Sequence, residues 1–185
     1  MTSMNKLELR RYLRALHEGP QERARQSLLL CAHVISSPEY KNARILGAYM
    51  PMAHEADVTP VILDALRHGK QVALPRCWKA PHMDFHLIQT MDDLVVGTYG
   101  ILEPAASAPI LPASCLDLLL VPLEGIDNEG FRLGKGGGYY DCLLAGSKLR
   151  TMGCAMSWQQ VSRLPRDQWD QPLQACADQF RIKHF

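Results

Sequence analysis

The chain has 185 residues, of which 47% are apolar and 21% charged, and its formal net charge is +1. Those values suit one globular domain with a sizeable core. A charge so near zero gives no reason to expect a nucleic acid or an anionic membrane as partner. No run of about 18 apolar residues marks a membrane-spanning helix.

The N-terminal stretch MTSMNKLELRRYLRALHEG is charged and lacks the apolar centre of a signal peptide. Asn5 to His17 reads as a helix with Leu9, Leu13 and Leu16 on one face, and Lys6 and Arg10 share another. By spacing alone those two are a solvated basic face. Pro20 suits a first helical turn, and a second helix is expected to run to about Ser36. Arg44 to Met50 reads as a strand ended by Pro51. Thr59 is the expected cap of a helix with Pro60 at its first position, stopping at Gly69. Gln71 to Pro75 is the next strand. Strand, helix, strand with short connections is a βαβ unit and implies a parallel sheet. Met83 to Ile88 alternates weakly and suits an antiparallel strand. It holds His86, four residues after His82, with no third metal ligand nearby. Gly97 to Pro104 reads as loop, and Ala105 to Ala113 as an alanine- and proline-rich connection. Leu116 to Pro122 (LDLLLVP) is a buried strand bounded by proline. Thr151 to Ser157 is a further strand, and the tail from Arg163 to Asp178 holds a turn and a last short strand. The six cysteines (Cys31, Cys77, Cys115, Cys142, Cys154 and Cys176) form no CxxC pair. Most lie in apolar contexts, which reads as reduced thiols in a cytoplasmic protein.

The segment that stands out runs from Asp127 to Asp141 and reads DNEGFRLGKGGGYYD. Glycines at 130, 134, 136, 137 and 138 exclude a regular strand or helix interior. They leave a backbone bare enough for a ligand to approach its amides, with Arg132 and Lys135 beside them. Tyr139 to Leu144 can start a helix whose N-terminus adds partial positive charge. Strand, cationic glycine loop and helix start suit a polyphosphate, although a purely structural loop has the same composition. The string is neither GxxxxGK[ST] nor GxGxxG. Asp141 would either complement the first helical turn or hold Mg²⁺. Asp170 is a turn residue before Pro172 or a second metal ligand. Glu55, just past a strand end, either stands where open α/β sheets bind ligands or is a solvated loop carboxylate.

The string Asp-x-x-Gly-x-Arg-Leu-Gly-x-Gly-Gly-Gly-Tyr-Tyr-Asp resembles the signature of the 5-formyltetrahydrofolate cyclo-ligase family. Weaker matches occur in the same order as in that family: Lys6 and Arg10 on the first helix, GAYMPMAHEADVTP with Glu55, Glu103-Pro104, LDLLLVP, and LPRDQWDQPLQAC with Asp170. The resemblance implies an α/β fold, a single-domain open α/β/α sandwich with a mostly parallel sheet spanning residues 1–185. It implies a cytoplasmic, monomeric ligase that converts 5-formyltetrahydrofolate and MgATP into 5,10-methenyltetrahydrofolate, ADP and phosphate. The resemblance gives ATP to Lys6 and Arg10 and to the loop formed by Arg132, Leu133, Gly134, Lys135, Gly136, Gly137, Gly138, Tyr139 and Tyr140. Met50 and Glu55 meet the folate together with Lys135, Gly136, Gly137, Gly138 and Tyr139. Asp141 and Asp170 serve Mg²⁺, while Arg132 and Lys135 carry the catalysis. The rival from another class is a nucleotide-binding regulatory protein of this fold without turnover. Retention of Arg132, Lys135, Asp141 and Asp170 argues against it.

Overall fold

Asn5 begins the first helix because its side-chain oxygen accepts from the amides of Leu7 and Glu8, while Glu8 reaches back to the Asn5 amide. The structure, a computed structural model, describes residues 4–79, 81–97 and 100–185. Met1 to Ser3, part of the N-terminal stretch read above, lie outside them.

The helices and strands follow in chain order. Helix α1 is Lys6–Ala15, α2 is Pro20–Ser36, and α3 is Pro38–Asn42, capped by Ser37. Strand β1 is Ile45–Gly47, α4 is Thr59–Arg67, and β2 is Gln71–Cys77. Strands β3 (Met83–Ile88), β4 (Leu94–Val96), β5 (Leu102–Pro104) and β6 (Ile110–Leu111) come next. After β7 (Leu118–Val121), β8 (Gly125–Ile126) and β9 (Arg132–Leu133) comes α5 (Tyr139–Leu144). Strands β10 (Thr151–Cys154), β11 (Ala175–Ala177) and β12 (Ile182–His184) close the chain.

Eight strands form the main sheet in the order β12-β11-β10-β7-β1-β2-β3-β6. The central pairings, β2 with β1, β1 with β7, β7 with β10 and β10 with β11, are parallel. Antiparallel strands flank them on both sides. A parallel strand is covered on both faces and so reads as continuous apolar sequence, which is why LLLV at β7 is buried throughout. Its side chains alternate between two cores. Leu118 and Leu120 meet the α2 and α4 side, with Leu30, Val34, Val61 and Ile62. Leu119 and Val121 meet the opposite side, where Leu144 of α5 packs with Leu149 and Leu173. This is the expected α/β architecture with a mostly parallel sheet. Helix α1 stands apart: Leu9 and Leu13 pack on Leu133 and Leu164 in a small third cluster.

Several expectations need correction. Thr59 is not the cap of α4; it opens the helix, and its amide donates to Asp57 Oδ1 at 3.0 Å. The expected strands at 44–50, 116–122 and 151–157 are shorter than read: β1 ends at Gly47, β7 runs only from Leu118 to Val121, and β10 ends at Cys154. The 97–104 segment is not all loop. Leu102–Pro104 pairs antiparallel with Leu94–Val96, while Thr98 and Tyr99 lie outside the described residues. The 105–113 connection contains β6. The glycine string does not follow the buried strand directly. The β8–β9 hairpin intervenes and puts Arg132 and Leu133 in a strand.

Candidate active site

In an open parallel sheet the loops leave the carboxyl ends of neighbouring strands in opposite directions where the strand order reverses, and a crevice opens there. Here that point lies between β1, which neighbours β2, and β7, which leads toward β10. A cavity of about 150 Å³ occupies this position. Its wall takes Tyr49, Met50 and Glu55 from the segment after β1, and Pro122 and Leu123 from the segment after β7. The glycine loop from Gly134 to Asp141, Arg132, the β5 residues Leu102 and Glu103, and Pro75 and Cys77 of β2 also line it.

The hairpin that carries Arg132 turns on Asp127. Its Oδ1 accepts from the amides of Glu129 (2.9 Å) and Phe131 (3.1 Å). Its Oδ2 accepts from the Leu164 amide (3.1 Å) and the Arg166 guanidinium (2.9 Å). Burial opposes the charge, but Arg166 and the three amides outweigh it and hold the Asp127 carboxyl below its ordinary value. Gly130 takes φ +85° in the turn, and a Cβ there would stand 2.7 Å from the Leu173 carbonyl oxygen. The turn thus requires glycine on both counts.

From this hairpin the Arg132 side chain enters the cavity wall, only 4% exposed. Its Nη2 donates to Asp141 Oδ1 at 2.9 Å, and its guanidinium lies 5.3 Å from the Tyr140 ring centre. Burial lowers its pKa; the nearby Asp141 works in the opposite direction. A Cβ on Gly134 would stand 2.5 Å from Arg132 Nη1, so that glycine makes room for the guanidinium. Gly136 and Gly138 take φ +99° and +74°, conformations that an L side chain rarely adopts. Lys135 meets Glu55 Oε1 at 3.1 Å. Glu55 Oε2 accepts from the Met52 amide at 2.8 Å, and Arg23 donates to the Glu55 carbonyl at 2.8 Å. Tyr139 donates to the Trp78 carbonyl at 3.1 Å. Burial pushes the Cys77 thiol in this wall up to about 11, which leaves it protonated at neutral pH and a poor nucleophile.

Residues 2–177 match the model of the 5-formyltetrahydrofolate cyclo-ligase family. The chain belongs to that family. It is 32% identical to the 5-formyltetrahydrofolate cyclo-ligase of Mus musculus over 176 residues, 88% of this chain and 86% of the mouse protein. It is also 32% identical to the enzyme of that name from Escherichia coli K12 over 162 residues, 84% and 89% of the two chains. The solved 5,10-methenyltetrahydrofolate synthetase of Aquifex aeolicus superposes with a TM-score of 0.85 at 32% identity, covering 98% of this chain and 93% of that one.

The cyclo-ligase cavity gathers most of the residues expected for it, but not all. Met50, Glu55, Arg132 and the run from Gly134 to Asp141 line it. Leu133 does not: its side chain lies in the cluster with Leu9 and Leu13. Lys6 and Arg10 approach from α1. Arg10 Nε donates to the Gly134 carbonyl at 2.7 Å. Lys6 bonds Asp167 at 2.8 Å and both oxygens of Asp170, at 2.8 and 2.5 Å. Burial lowers the Lys6 pKa, but hydrogen bonds to Asp167 and Asp170 outweigh that and raise it overall. The bland reading of Lys6 and Arg10 as a solvated face is therefore replaced by two anchors, one on the tail and one on the glycine loop.

The two expected metal ligands differ in their fit. Asp141 gives one oxygen to Arg132, and no described residue donates to the other. A carboxylate oxygen so placed suits a hard cation that keeps most of its waters. Both oxygens of Asp170 are already engaged, by Lys6 and by the Asp167 amide. Among the described residues no three His, Cys, Asp or Glu side chains form a metal-holding group.

The residue-by-residue reading missed the pairing of Arg14 with Glu124, whose two hydrogen bonds of 2.9 and 2.7 Å tie α1 to the segment entering β8. It also missed Met52 and Arg23, which shape Glu55. Nothing in local sequence links residues so far apart. Glu103 drew notice only as part of a Glu-Pro pair, yet it is buried in the cavity wall.

Proposed function

We infer that this protein closes the ring of 5-formyltetrahydrofolate to give 5,10-methenyltetrahydrofolate, with ATP as co-substrate. Family membership supports the reaction. The observation that carries the site reading is the buried Arg132 guanidinium, whose Nε has no hydrogen-bond partner among the described residues, set beside a loop of bare amides at the cavity wall. A buried donor left unpaired is costly, and a phosphoryl oxygen is the partner that its charge favours.

A formamide is a poor electrophile, because nitrogen donates into its carbonyl. In the proposed reaction the formyl oxygen attacks the γ-phosphorus of ATP, and the bond to ADP breaks. The neighbouring N10 amine then attacks the activated formyl carbon and loses its proton. The carbon–oxygen bond breaks, phosphate leaves, and the methenyl bridge remains. In such a transfer the protein mainly positions the reactants and neutralises charge. Arg132 and the amides of Gly134 to Gly138 take that role toward the phosphates. Lys135, with Lys6 and Arg10, adds positive charge around the loop. Met50, Glu55 and the face of the loop from Lys135 to Tyr139 contact the folate. Mg²⁺, when bound, screens the charge of the polyphosphate. Asp141 is its best-fitted ligand, and Asp170 serves only when Lys6 releases it.

No helix among the described residues is long and apolar enough to cross a membrane. Cys31, Cys115, Cys142, Cys154 and Cys176 are free thiols, which supports a reducing cytoplasmic setting. The test is a mixture of purified protein, 5-formyltetrahydrofolate and MgATP, watched for the near-ultraviolet absorbance of the methenyl product. Product that depends on both ATP and a divalent cation is expected; full activity in excess chelator would remove the metal from the scheme.

A further inference from the structure

The cavity has two unlike walls. One carries Arg132, Lys135 and the glycine amides. The other is built by the β4–β5 hairpin and the end of β2, and it holds a buried carboxylate, Glu103, 3% exposed. Glu103 Oε2 has no hydrogen-bond partner among the described residues. Its nearest recorded cation is Arg76, whose Nη1 stands 3.9 Å away and already donates to the Pro104 carbonyl at 2.6 Å. That distance is too long for a hydrogen bond. The carboxylate is also held where it is. A Cβ at Gly97 would clash with Oε2, so the glycine backbone just after β4 lies directly against it.

A buried carboxylate oxygen without a donor is costly, so it marks a place where a ligand is the missing partner. The charge decides which ligand. Phosphate oxygens are repelled by a carboxylate in a weakly solvated wall. An N–H donor is attracted. Of the other two carboxylates in the wall, Glu55 is already occupied by Lys135 and the Met52 amide, and Asp141, on the glycine-loop side, is paired with Arg132. Glu103 is therefore the buried open acceptor on the wall that faces the cations.

We propose that Glu103 accepts a hydrogen bond from an N–H group of the folate, and that it fixes which way the folate lies against the phosphate-holding wall. This rests on the folate reading above and adds to it a residue that positions and selects the substrate. One oxygen is open, so one acceptor is enough. A glutamine keeps a carbonyl oxygen and should serve; a leucine should not.

The experiment is calorimetric titration of wild type, Glu103→Gln and Glu103→Leu with 5-formyltetrahydrofolate alone, and separately with MgATP. Turnover by the wild type is measured first, so that failure of the folate reading is seen apart from failure of this one. The expected result for leucine is a loss of roughly tenfold or more in folate affinity, with MgATP affinity within about twofold, the scale of one buried hydrogen bond. Glutamine should stay within about threefold of wild type for both ligands. The leucine variant should melt no lower than wild type, since an unpaired buried charge is removed. Glu103→Met takes its place if leucine does not fold. Unchanged folate affinity in the apolar variant overturns the proposal. So does an equal loss for MgATP, or a lowered melting temperature with intact folate binding, which would make Glu103 a strut for Arg76.

Discussion

Two hairpins flank the cavity, and each carries a buried carboxylate. Asp127, at the turn of β8–β9, accepts from three amides and one guanidinium. Glu103, in β5, has an oxygen that accepts nothing from the described residues. A fully satisfied buried carboxylate organises backbone; one left open waits for something outside the chain. The hairpin on Asp127 serves as scaffold for Arg132, and the hairpin on Glu103 serves as contact surface. The same residue chemistry has two uses, separated by the count of donors around it.

The largest expected effect tests the scaffold half of that contrast. Asp127→Ala strands three amides and the Arg166 guanidinium, and should cost about 3 kcal/mol of stability, read as a lowered denaturant midpoint. The pH dependence carries the sign of a depressed carboxylate. Its stabilisation is complete above the unfolded value of about 4 and is lost as pH falls through the lower folded value. The gap between the denaturant midpoints of wild type and Asp127→Asn should therefore be full above about pH 4 and close on further acidification. A gap that persists unchanged in acid would mean that the charge plays no part.

Next in size is Arg132→Ala. It removes the cation that the Asp127 hairpin delivers, and kcat should fall by about a hundredfold, with a smaller change in the KM for ATP. If only KM moved, Arg132 would be a ground-state anchor. Gly134→Ala sharpens the same point without touching charge. Its methyl group would press on Arg132 Nη1, so kcat should drop by roughly tenfold while the melting temperature changes little. Asp141→Asn should raise the Mg²⁺ concentration needed for half-maximal rate more than Asp170→Asn does, because Asp170 is held by Lys6. Magnesium titrations of the two variants check the order. Smallest of all is Lys6→Ala assayed by melting. The Lys6–Asp167 half of that contact is half-exposed, but Asp170 is 8% exposed and keeps only the Asp167 amide once Lys6 is gone, so the loss should be about 1 kcal/mol.

The sequence made the scaffold easier to read than the contacts. LDLLLVP showed a strand buried on both faces, and Pro20 and Gly69 bounded helices, because those signals are local. The hairpins were missed because their strands are two or three residues long, too short to show alternation. Arg132 was legible as a loop cation, but its burial depends on Asp141 and Gly134 folding around it. Asp170 looked like a metal ligand or a turn residue. Its bond to Lys6 joins residues 164 apart in the chain, which no local pattern announces. Glu103 was visible only as half of a Glu-Pro pair. What sets it apart is the lack of a donor, and that is a property of the packed wall.

A crystal structure with 5-formyltetrahydrofolate and a non-hydrolysable ATP analogue tests the two-walled cavity most directly. The polyphosphate should lie against Arg132 and the amides of Gly134 to Gly138, with a folate N–H donor within about 3.2 Å of Glu103 Oε2. Phosphate resting against the β4–β5 hairpin, or a folate that leaves Glu103 Oε2 without a donor, would contradict it.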